Sequence, residues 1–228
     1  MIFNIGNFSD PWYIIQILLS LPIVLFSLSF HEASHAYAAY KMGDDTAKNL
    51  GRLTLNPLKH LDPVGAVAML FFGIGWAKPV PIMTRNFEHP KKGMIISAAA
   101  GPLSNLVLSI IGVLIYVPVY HFIYLPHHTN PFVIAITMFF DLFHYLNLSL
   151  AIFNLLPVPP LDGSRVLLGF LPERLYFGIM KYENYIRLGF IALIFILNRF
   201  NISIVGWIVN PISNGMKDII ELIPIFKL

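Results

Sequence analysis

The sequence predicts an all-α polytopic membrane protein, a bundle of about five or six membrane segments with a small re-entrant β element. Hydrophobic residues make up 57% of the 228 positions and charged residues only 12%, against about 25% charged in an ordinary soluble domain. Long apolar stretches alternate with short charged ones, and a soluble domain of this size could not bury so much apolar surface. We expect one membrane-embedded domain over residues 1–228, with its core at about 12–170 and further membrane segments at 185–228.

The first predicted element is a single long helix from Pro11 to about Met42. Asp10 is a suitable N-cap with proline at the first turn, and Gly43 is suited to end the helix. The 20 residues up to Phe30 are almost wholly apolar and would span about 30 Å as a helix. The polar residues that follow Phe30 should therefore lie toward one membrane surface.

The second apolar run, Leu61 to Trp76, is interrupted by glycines and is followed by the prolines of Lys78 to Pro81. It is short for a membrane span. We interpret it as a re-entrant hairpin or pair of strands, which is tolerated at membrane depth only where protein covers its backbone. Met94 to Tyr120 then predicts a full span.

The remaining segments begin with a span from about Pro131 to Leu156. Pro157, Pro159 and Pro160 forbid a helix directly after it, so Leu161 and Asp162 are expected on extended backbone. Further on, Ile186 to Leu197 is apolar and is interrupted by four residues, 198–201, before a second apolar stretch up to Val209. One span and a helical hairpin are both compatible with this pattern.

The distribution of positive charge predicts the orientation in the membrane. Residues 1–40 and 93–164 contain no Lys or Arg, whereas 41–92 contain eight and 165–187 contain four. Because cationic loops stay in the cytoplasm, we expect the N-terminus outside, the active site toward the cytoplasm, and a multi-pass protein of a bacterial cytoplasmic membrane. A net charge of +3 without a basic cluster argues against nucleic acid, and the absence of cysteine limits metal ligands to nitrogen and oxygen.

Residues His31 to His35 read His-Glu-Ala-Ser-His, an H-E-x-x-H motif on a predicted helix. Residues four apart share a helical face, so both imidazoles can reach one cation while Glu32 reaches a water beside it. The five residues could match by chance. However, two histidines and a glutamate after twenty apolar residues are costly in lipid unless they have partners, which favours a zinc site with Glu32 as general base.

Zinc requires a third protein ligand. The carboxylates and histidines near apolar segments are Asp62, Asp141, His144 and Asp162. Asp162 stands out because prolines precede it and a glycine follows it, but an ordinary turn aspartate fits the same spacing. His144 and Asp141 could instead form a polar patch between helices.

Two asparagines lie within otherwise apolar spans. Asn154 precedes Asp162 by eight residues, and Asn105 lies near the start of a predicted helix. Each amide could hold a substrate peptide or a developing oxyanion. Each could equally form hydrogen bonds between helices, as polar residues commonly do in bilayers.

Three ordered motifs together resemble the site-2 protease family of intramembrane zinc metalloproteases: His31 to His35, Ala100-Gly101-Pro102-Leu103-Ser104-Asn105, and Asn154 to Gly163 with its Pro-Pro-Leu-Asp-Gly end. The resemblance runs from about residue 20 to 170. It implies that one Zn²⁺ per chain is bound by His31, His35 and Asp162, and that Glu32 is the general base. It also implies that Asn154 contacts the substrate or the reacting carbonyl, and that Pro160 belongs to the loop that positions the aspartate.

The resemblance further implies a substrate class, since the family cleaves transmembrane segments of other proteins. Members usually have a second glycine at the position where this chain has Ser164. This difference affects only the expected conformation of the turn after Asp162. A regulatory partner is compatible with the sequence but not identifiable from it. The rival interpretation is a non-proteolytic membrane protein that binds or transports a metal ion, but carriers tend to have duplicated halves and several intramembrane carboxylates, and neither is found in the sequence.

Overall fold

The structure is a computed structural model that describes residues 11–62, 65, 78–200 and 203–223. Within these residues the secondary structure is helical, with short connecting turns and extended segments. The helices, in chain order, are α1 Pro11–Lys41, α2 Thr46–Asn49, α3 Pro57–His60, α4 Pro90–Val119, α5 Pro131–Leu155, α6 Asp162–Gly169, α7 Glu173–Met180, α8 Glu183–Arg199 and α9 Ile204–Glu221.

Three of the described helices are long and apolar enough to cross a membrane. They are Pro11–Lys41, Pro90–His127 and Pro131–Leu155, and the second of these is α4 extended by two short helical turns. Among the described residues, α8 and α9 do not combine the length and the apolar composition that a membrane span needs. Within the described residues a helical membrane protein is therefore confirmed, whereas the predicted number of five or six segments is not.

The boundaries of α1 and α5 match the prediction within one residue, because their ends carry local signals. α1 ends at Lys41, and Gly43 follows with a φ of +104°, a conformation that glycine adopts without strain. α5 begins after Asn130, whose side chain caps the helix by accepting a hydrogen bond from Phe132 N–H at 3.0 Å. Such a cap satisfies one of the free amide groups in the first turn.

The start of α4 differs from the prediction. The helix begins at Pro90, four residues before the predicted Met94. Proline is well suited to the first turn of a helix, so the two lysines that follow it are helical rather than part of the preceding loop.

The helices α1, α4 and α5 pack against one another and form the centre of the molecule. Ile23 of α1 meets Leu142 and Leu146 of α5 in a hydrophobic cluster. On α4, a Cβ atom at Gly112 would lie 2.9 Å from the backbone nitrogen of His144. The two backbones thus approach closely, as small residues allow in membrane proteins.

One local prediction is wrong in part. Leu161 is extended, with φ −70° and ψ 153°, but Asp162 is the first residue of α6 rather than part of the extended segment. The prolines restrict the backbone only as far as Leu161. An acidic residue is favourable in the first turn of a helix, next to its free amide groups.

The predicted re-entrant β element falls largely on residues 63–64 and 66–77, which lie outside the described residues. The flanks of this segment are described. Lys78 N–H donates a hydrogen bond of 2.7 Å to the carbonyl of His60, so the two flanks lie side by side.

Candidate metal centre

Two helices bring three ligand side chains together. His31 and His35 lie on α1, and Asp162 reaches them from the start of α6. The two Nε2 atoms are 3.0 Å apart, and each lies 3.2 Å from Oδ2 of Asp162. The three ligand atoms therefore form a compact triangle. Both histidines are buried and Asp162 is half-buried.

The far nitrogen of each imidazole faces an acceptor. His31 Nδ1 lies 2.6 Å from Oδ1 of Asn105, and His35 Nδ1 lies 2.6 Å from the carbonyl oxygen of Ser97. Because each acceptor needs a donor, we assign the ring proton to Nδ1 in both histidines. The lone pairs on Nε2 are then directed toward Asp162.

This donor set fits a zinc ion. Two imidazole lone pairs and a carboxylate that converge within 3.2 Å repel one another unless a cation lies among them. Ligand atoms at zinc distances of about 2.0–2.1 Å in a tetrahedron are separated by roughly 3.3 Å. The observed separations of 3.0–3.2 Å are close to that value, and three protein ligands leave one position open, as catalytic zinc sites require.

Two glycines allow close approaches around the ligand triangle. A Cβ atom at Gly101 of α4 would lie 2.7 Å from Cε1 of His31 and even closer to the ring of His35. A Cβ atom at Gly163 would lie 2.7 Å from the carbonyl oxygen of Leu156. Only glycine fits at either position without a shift of the neighbouring atoms.

The turn that presents Asp162 accommodates the serine that departs from the family pattern. Ser164 is buried, and its hydroxyl donates a 2.6 Å hydrogen bond to the carbonyl of Leu161.

The glutamate of the motif is held from the other side. Oε2 of Glu32 accepts a 3.0 Å hydrogen bond from Val80 N–H. The segment that carries Val80 is fixed by Arg52, whose guanidinium donates to the carbonyls of Lys78 at 2.5 Å and Pro79 at 3.4 Å. A backbone amide thus fixes the orientation of the carboxylate beside the histidine pair.

Asn154, Pro160 and Asn105 do not join the ligand triangle. Asn154 lies in the last turn of α5, and its amide donates to the carbonyl of Leu150 at 3.0 Å. Pro160 is exposed in the loop before Asp162. Asn105 is fully buried behind His31, so it contacts a ligand rather than an open face.

The other third-ligand candidates have different partners. Asp62 accepts a hydrogen bond from Gly65 N–H at 2.8 Å. Asp141 pairs with Lys217 at 2.5 Å. His144 is fully buried and bonded at Nε2 to the hydroxyl of Ser213 at 2.9 Å. Among the described residues, Asp162 is the carboxylate that meets the two histidines.

Sequence reasoning missed three contributors: the Ser97 carbonyl, the Val80 amide and the side chain of Asn147. The first two are backbone groups, and no residue pattern marks them. Asn147 could have been noticed as an uncharged polar residue in an apolar span. It is fully buried and accepts a 3.0 Å hydrogen bond from the amide of Asn105.

An open apolar groove of about 380 Å³ lies beside the ligand-bearing part of α1. Part of its wall is Ala100, the neighbour of Gly101, and part is the segment from Leu53 to Leu55. The residues that line it are Phe30, Ala33, Ser34, Tyr37, Ala38, Leu53, Thr54, Leu55 and Ala100.

Comparison with known proteins places this geometry in a family. The model of peptidase family M50 matches residues 118–197. YwhC of Bacillus subtilis (strain 168), whose name describes it as a zinc metalloprotease, is 40% identical over 208 residues, 91% of either chain. Zinc metalloprotease MJ0392 of Methanocaldococcus jannaschii is 30% identical over 178 residues, 78% of this chain and 40% of that protein.

A third relative is Rip2 of Mycolicibacterium smegmatis, also named as a zinc metalloprotease, which is 29% identical over 61% of this chain and 52% of its own. No solved structure matches. The similarity to YwhC covers nearly the whole of both chains, and the described ligand triangle has the chemistry that these names state. The chain belongs to peptidase family M50, the site-2 protease family, and is an intramembrane zinc metalloprotease.

Proposed function

We propose that this protease hydrolyses peptide bonds in or near transmembrane segments of membrane protein substrates, with His31, His35 and Asp162 as its zinc ligands and Glu32 as general base. The observation that carries the proposal is the convergence of two Nε2 atoms and one carboxylate oxygen within 3.2 Å. Glu32 follows directly after the first ligand on the same helix.

The chemistry divides between the ion and the chain. Zinc, when bound, lowers the pKa of water to about 7 and polarises a carbonyl. Glu32 accepts the proton of the attacking water and returns it to the amine of the leaving segment. The hydrogen bond from Val80 holds one carboxylate oxygen in place, which leaves the other free for the proton.

A substrate must reach this centre with its backbone exposed. Carbonyls within a helix are already hydrogen-bonded, so the segment must unwind and enter laterally between helices. We propose that the groove beside α1 receives apolar side chains next to the cleaved bond, because its lining is mostly Ala, Leu and aromatic residues. Asn154 and Pro160, close to Asp162 in the chain, are proposed substrate contacts on the family resemblance.

The re-entrant segment at residues 61–76 is proposed to pair with an extended substrate as an added strand. Val80, which follows this segment, donates a hydrogen bond to Glu32, and this contact with the proposed general base supports the role. Deletion of the segment should abolish substrate cleavage, and unchanged cleavage would contradict this role.

We also propose a bundle of five or six membrane segments in a bacterial cytoplasmic membrane, with the N-terminus outside. α9 contacts both α4 and α5, which supports membrane insertion for the C-terminal helices. The rival function, metal-ion transport, is not favoured, since Asp62 and Asp141, the other carboxylates near the apolar segments, have partners away from the centre.

The general-base role is tested with Glu32→Gln. The amide retains the size of the side chain but cannot take a proton, so cleavage of a reporter membrane substrate should fall by at least about 100-fold, in line with general-base catalysis. Zinc content, measured by elemental analysis, should stay at one per chain. Persistent cleavage would show that Glu32 is not the base.

The ligand assignment is tested separately with Asp162→Asn. A neutral amide is a much poorer zinc ligand than a carboxylate, so the purified variant should contain far less than one zinc per chain. Full zinc occupancy in this variant would remove Asp162 from the ligand set.

A further inference from the structure

A chain of buried hydrogen bonds leads from the backbone of α5 to the first histidine. Nδ2 of Asn147 donates to the carbonyl of Phe143 at 2.8 Å. Oδ1 of Asn147 accepts from Nδ2 of Asn105 at 3.0 Å. Oδ1 of Asn105 then faces Nδ1 of His31 at 2.6 Å.

The direction of this chain is fixed at its far end. The carbonyl of Phe143 can only accept, so the amide nitrogen of Asn147 must face it and its oxygen must face Asn105. The Asn105 amide nitrogen therefore turns toward Asn147, where it also lies 3.3 Å from the carbonyl of Ser27. Its oxygen is left for His31, whose Nδ1 must carry the proton.

The two asparagines are placed where water cannot satisfy them. Both have no exposed surface, so an amide turned the wrong way would leave buried polar groups unpaired. His35 needs no such relay, because its Nδ1 faces the backbone carbonyl of Ser97 directly at 2.6 Å. Of the two histidines, His31 is the one whose orientation depends on side chains.

We propose that Asn147 and Asn105 are positioning residues that hold His31 as the Nδ1–H tautomer, with Nε2 free for zinc. The inference rests on the proposed zinc site. It adds Asn147 of α5 to the residues that hold the site in place, although Asn147 acts on His31 only through Asn105. Outer partners of metal ligands typically change metal affinity by about 10–100-fold when they are removed. The relay assigns that influence to a residue two hydrogen bonds away from the ligand.

The test compares Asn147→Leu with Thr137→Val in the purified full-length protein. Leucine has the same branched shape but no acceptor for the Asn105 amide. Thr137, on the same helix, is buried and donates to the carbonyl of Val133 within that helix, so its replacement controls for the loss of a buried hydrogen bond in α5. Zinc affinity is measured by competition with a chromophoric chelator.

Asn147→Leu should weaken zinc binding by about 10-fold or more, and Thr137→Val should not. In zinc-free protein, ¹⁵N resonances of His31, assigned by their absence in His31→Gln, should lose the Nδ1–H signature in Asn147→Leu while those of His35 keep it. A merely structural role would not separate the two histidines. Should leucine prevent folding, Asn147→Ser, whose hydroxyl is too short to reach Asn105, carries the same expectation.

Wild-type zinc affinity together with an unchanged His31 tautomer in either variant would overturn the relay. Two other results would contradict the proposed metal site itself. If the unmodified protein binds no zinc, or His31→Gln binds it as tightly as the unmodified protein, the metal site itself is wrong.

Discussion

Three side chains of the proposed metal centre, those of His31, His35 and Glu32, are held in place by groups that are not themselves ligands. Asn105 and Ser97 fix the two imidazoles from α4, and Val80 fixes the carboxylate of Glu32. Gly101 leaves space for both rings. Outer contacts of this kind set the orientation and basicity of metal ligands.

Gly101→Ala should separate helix stability from metal binding. In an exposed helix interior, alanine stabilises the helix by about 1 kcal/mol relative to glycine. At position 101, however, its methyl group would overlap both imidazole rings. We expect zinc affinity to fall at least about 10-fold while the helical content is retained. Circular dichroism and chelator competition on the same samples measure the two effects.

Gly189→Ala is the matched control, because a Cβ atom there meets nothing within 4 Å. Its zinc affinity should equal that of the unmodified protein. If Gly101→Ala also binds zinc normally, the close approach of α4 to the histidines is not required.

At the residue scale, the candidate site residues could be proposed from the sequence, but the groups that support them could not. His31, Glu32 and His35 are recognisable because three ionisable groups in an apolar helix are costly without partners. Asp162 could not be chosen over other candidates by spacing alone, since that choice depends on how distant segments meet. For Asn105 the sequence left open a substrate contact or a hydrogen bond between helices, and in the structure its side chain contacts His31 and a second asparagine.

At the scale of elements, the segment between α1 and α4 is held together by one buried carboxylate. Asp44 accepts hydrogen bonds from Met83 N–H at 2.7 Å and from the Asn86 amide at 2.9 Å, and from both the amide and the hydroxyl of Thr46. Burial alone would raise the pKa of Asp44, but these bonds outweigh it and lower that pKa below its ordinary value of 3.8. The network anchors the chain that leads from Val80 into α4.

Asp44→Asn should therefore destabilise the protein in a pH-dependent way. A lowered pKa in the folded state means that the charged carboxylate stabilises the fold above pH 3.8 and that this contribution is lost as pH falls through the folded-state pKa. We expect a loss of about 2 kcal/mol near neutral pH, typical of hydrogen bonds to a charged group. Thermal unfolding from pH 7 down to pH 3 would measure it.

The neighbouring Asp45→Asn serves as the control, because Asp45 is exposed and lies 3.9 Å from Lys48. Its unfolding temperature should stay close to that of the unmodified protein at every pH. A gap between Asp44→Asn and the unmodified protein that does not narrow as the pH falls below 3.8 would contradict the electrostatic account.

α9 is attached to the core by polar contacts. Lys217 pairs with Asp141 at 2.5 Å and lies 4.6 Å from the centre of the Tyr116 ring. A second contact joins His144 to the hydroxyl of Ser213. Because Asp141 lies near the middle of α5, its charge requires a partner within the membrane.

Lys217→Met should leave Asp141 unpaired and destabilise the protein by up to about 3 kcal/mol, the cost of a lone aspartate at the centre of a membrane helix. The double variant Asp141→Leu/Lys217→Met should recover part of that loss, since replacing both partners of an ion pair is better tolerated than removing one. Unfolding in detergent would give the free energy of unfolding of the double variant and of both single variants. Additive effects of the two single changes would show that the pair is not coupled.

The long helices were predictable because they carry local signals: a proline at the first turn and a long apolar stretch in each, and a polar cap at Asn130 before α5. The elements after residue 170 were not, because α7, α8 and α9 are short and their pattern fits one span or a hairpin equally well. Their placement depends on long-range pairs such as Asp141 with Lys217. No local pattern encodes such a contact.

At the scale of the whole molecule, charge is divided between the two ends of the spans. Residues 41–92 contain eight Lys or Arg, and the turn between α4 and α5 contains none. Helix α1 reaches His31 about 20 residues after Pro11, a distance of about 30 Å. The same polarity therefore favours a metal centre toward the cationic side of the membrane.

This orientation can be tested directly, because the chain contains no cysteine and a single introduced thiol reports its own side. Lys59→Cys and His128→Cys each replace an exposed residue at opposite ends of the spans. In intact cells a membrane-impermeant maleimide should label His128→Cys at once and Lys59→Cys only after permeabilisation. The reverse pattern would place the cationic segment outside and would require substrates to be cut near the opposite membrane surface.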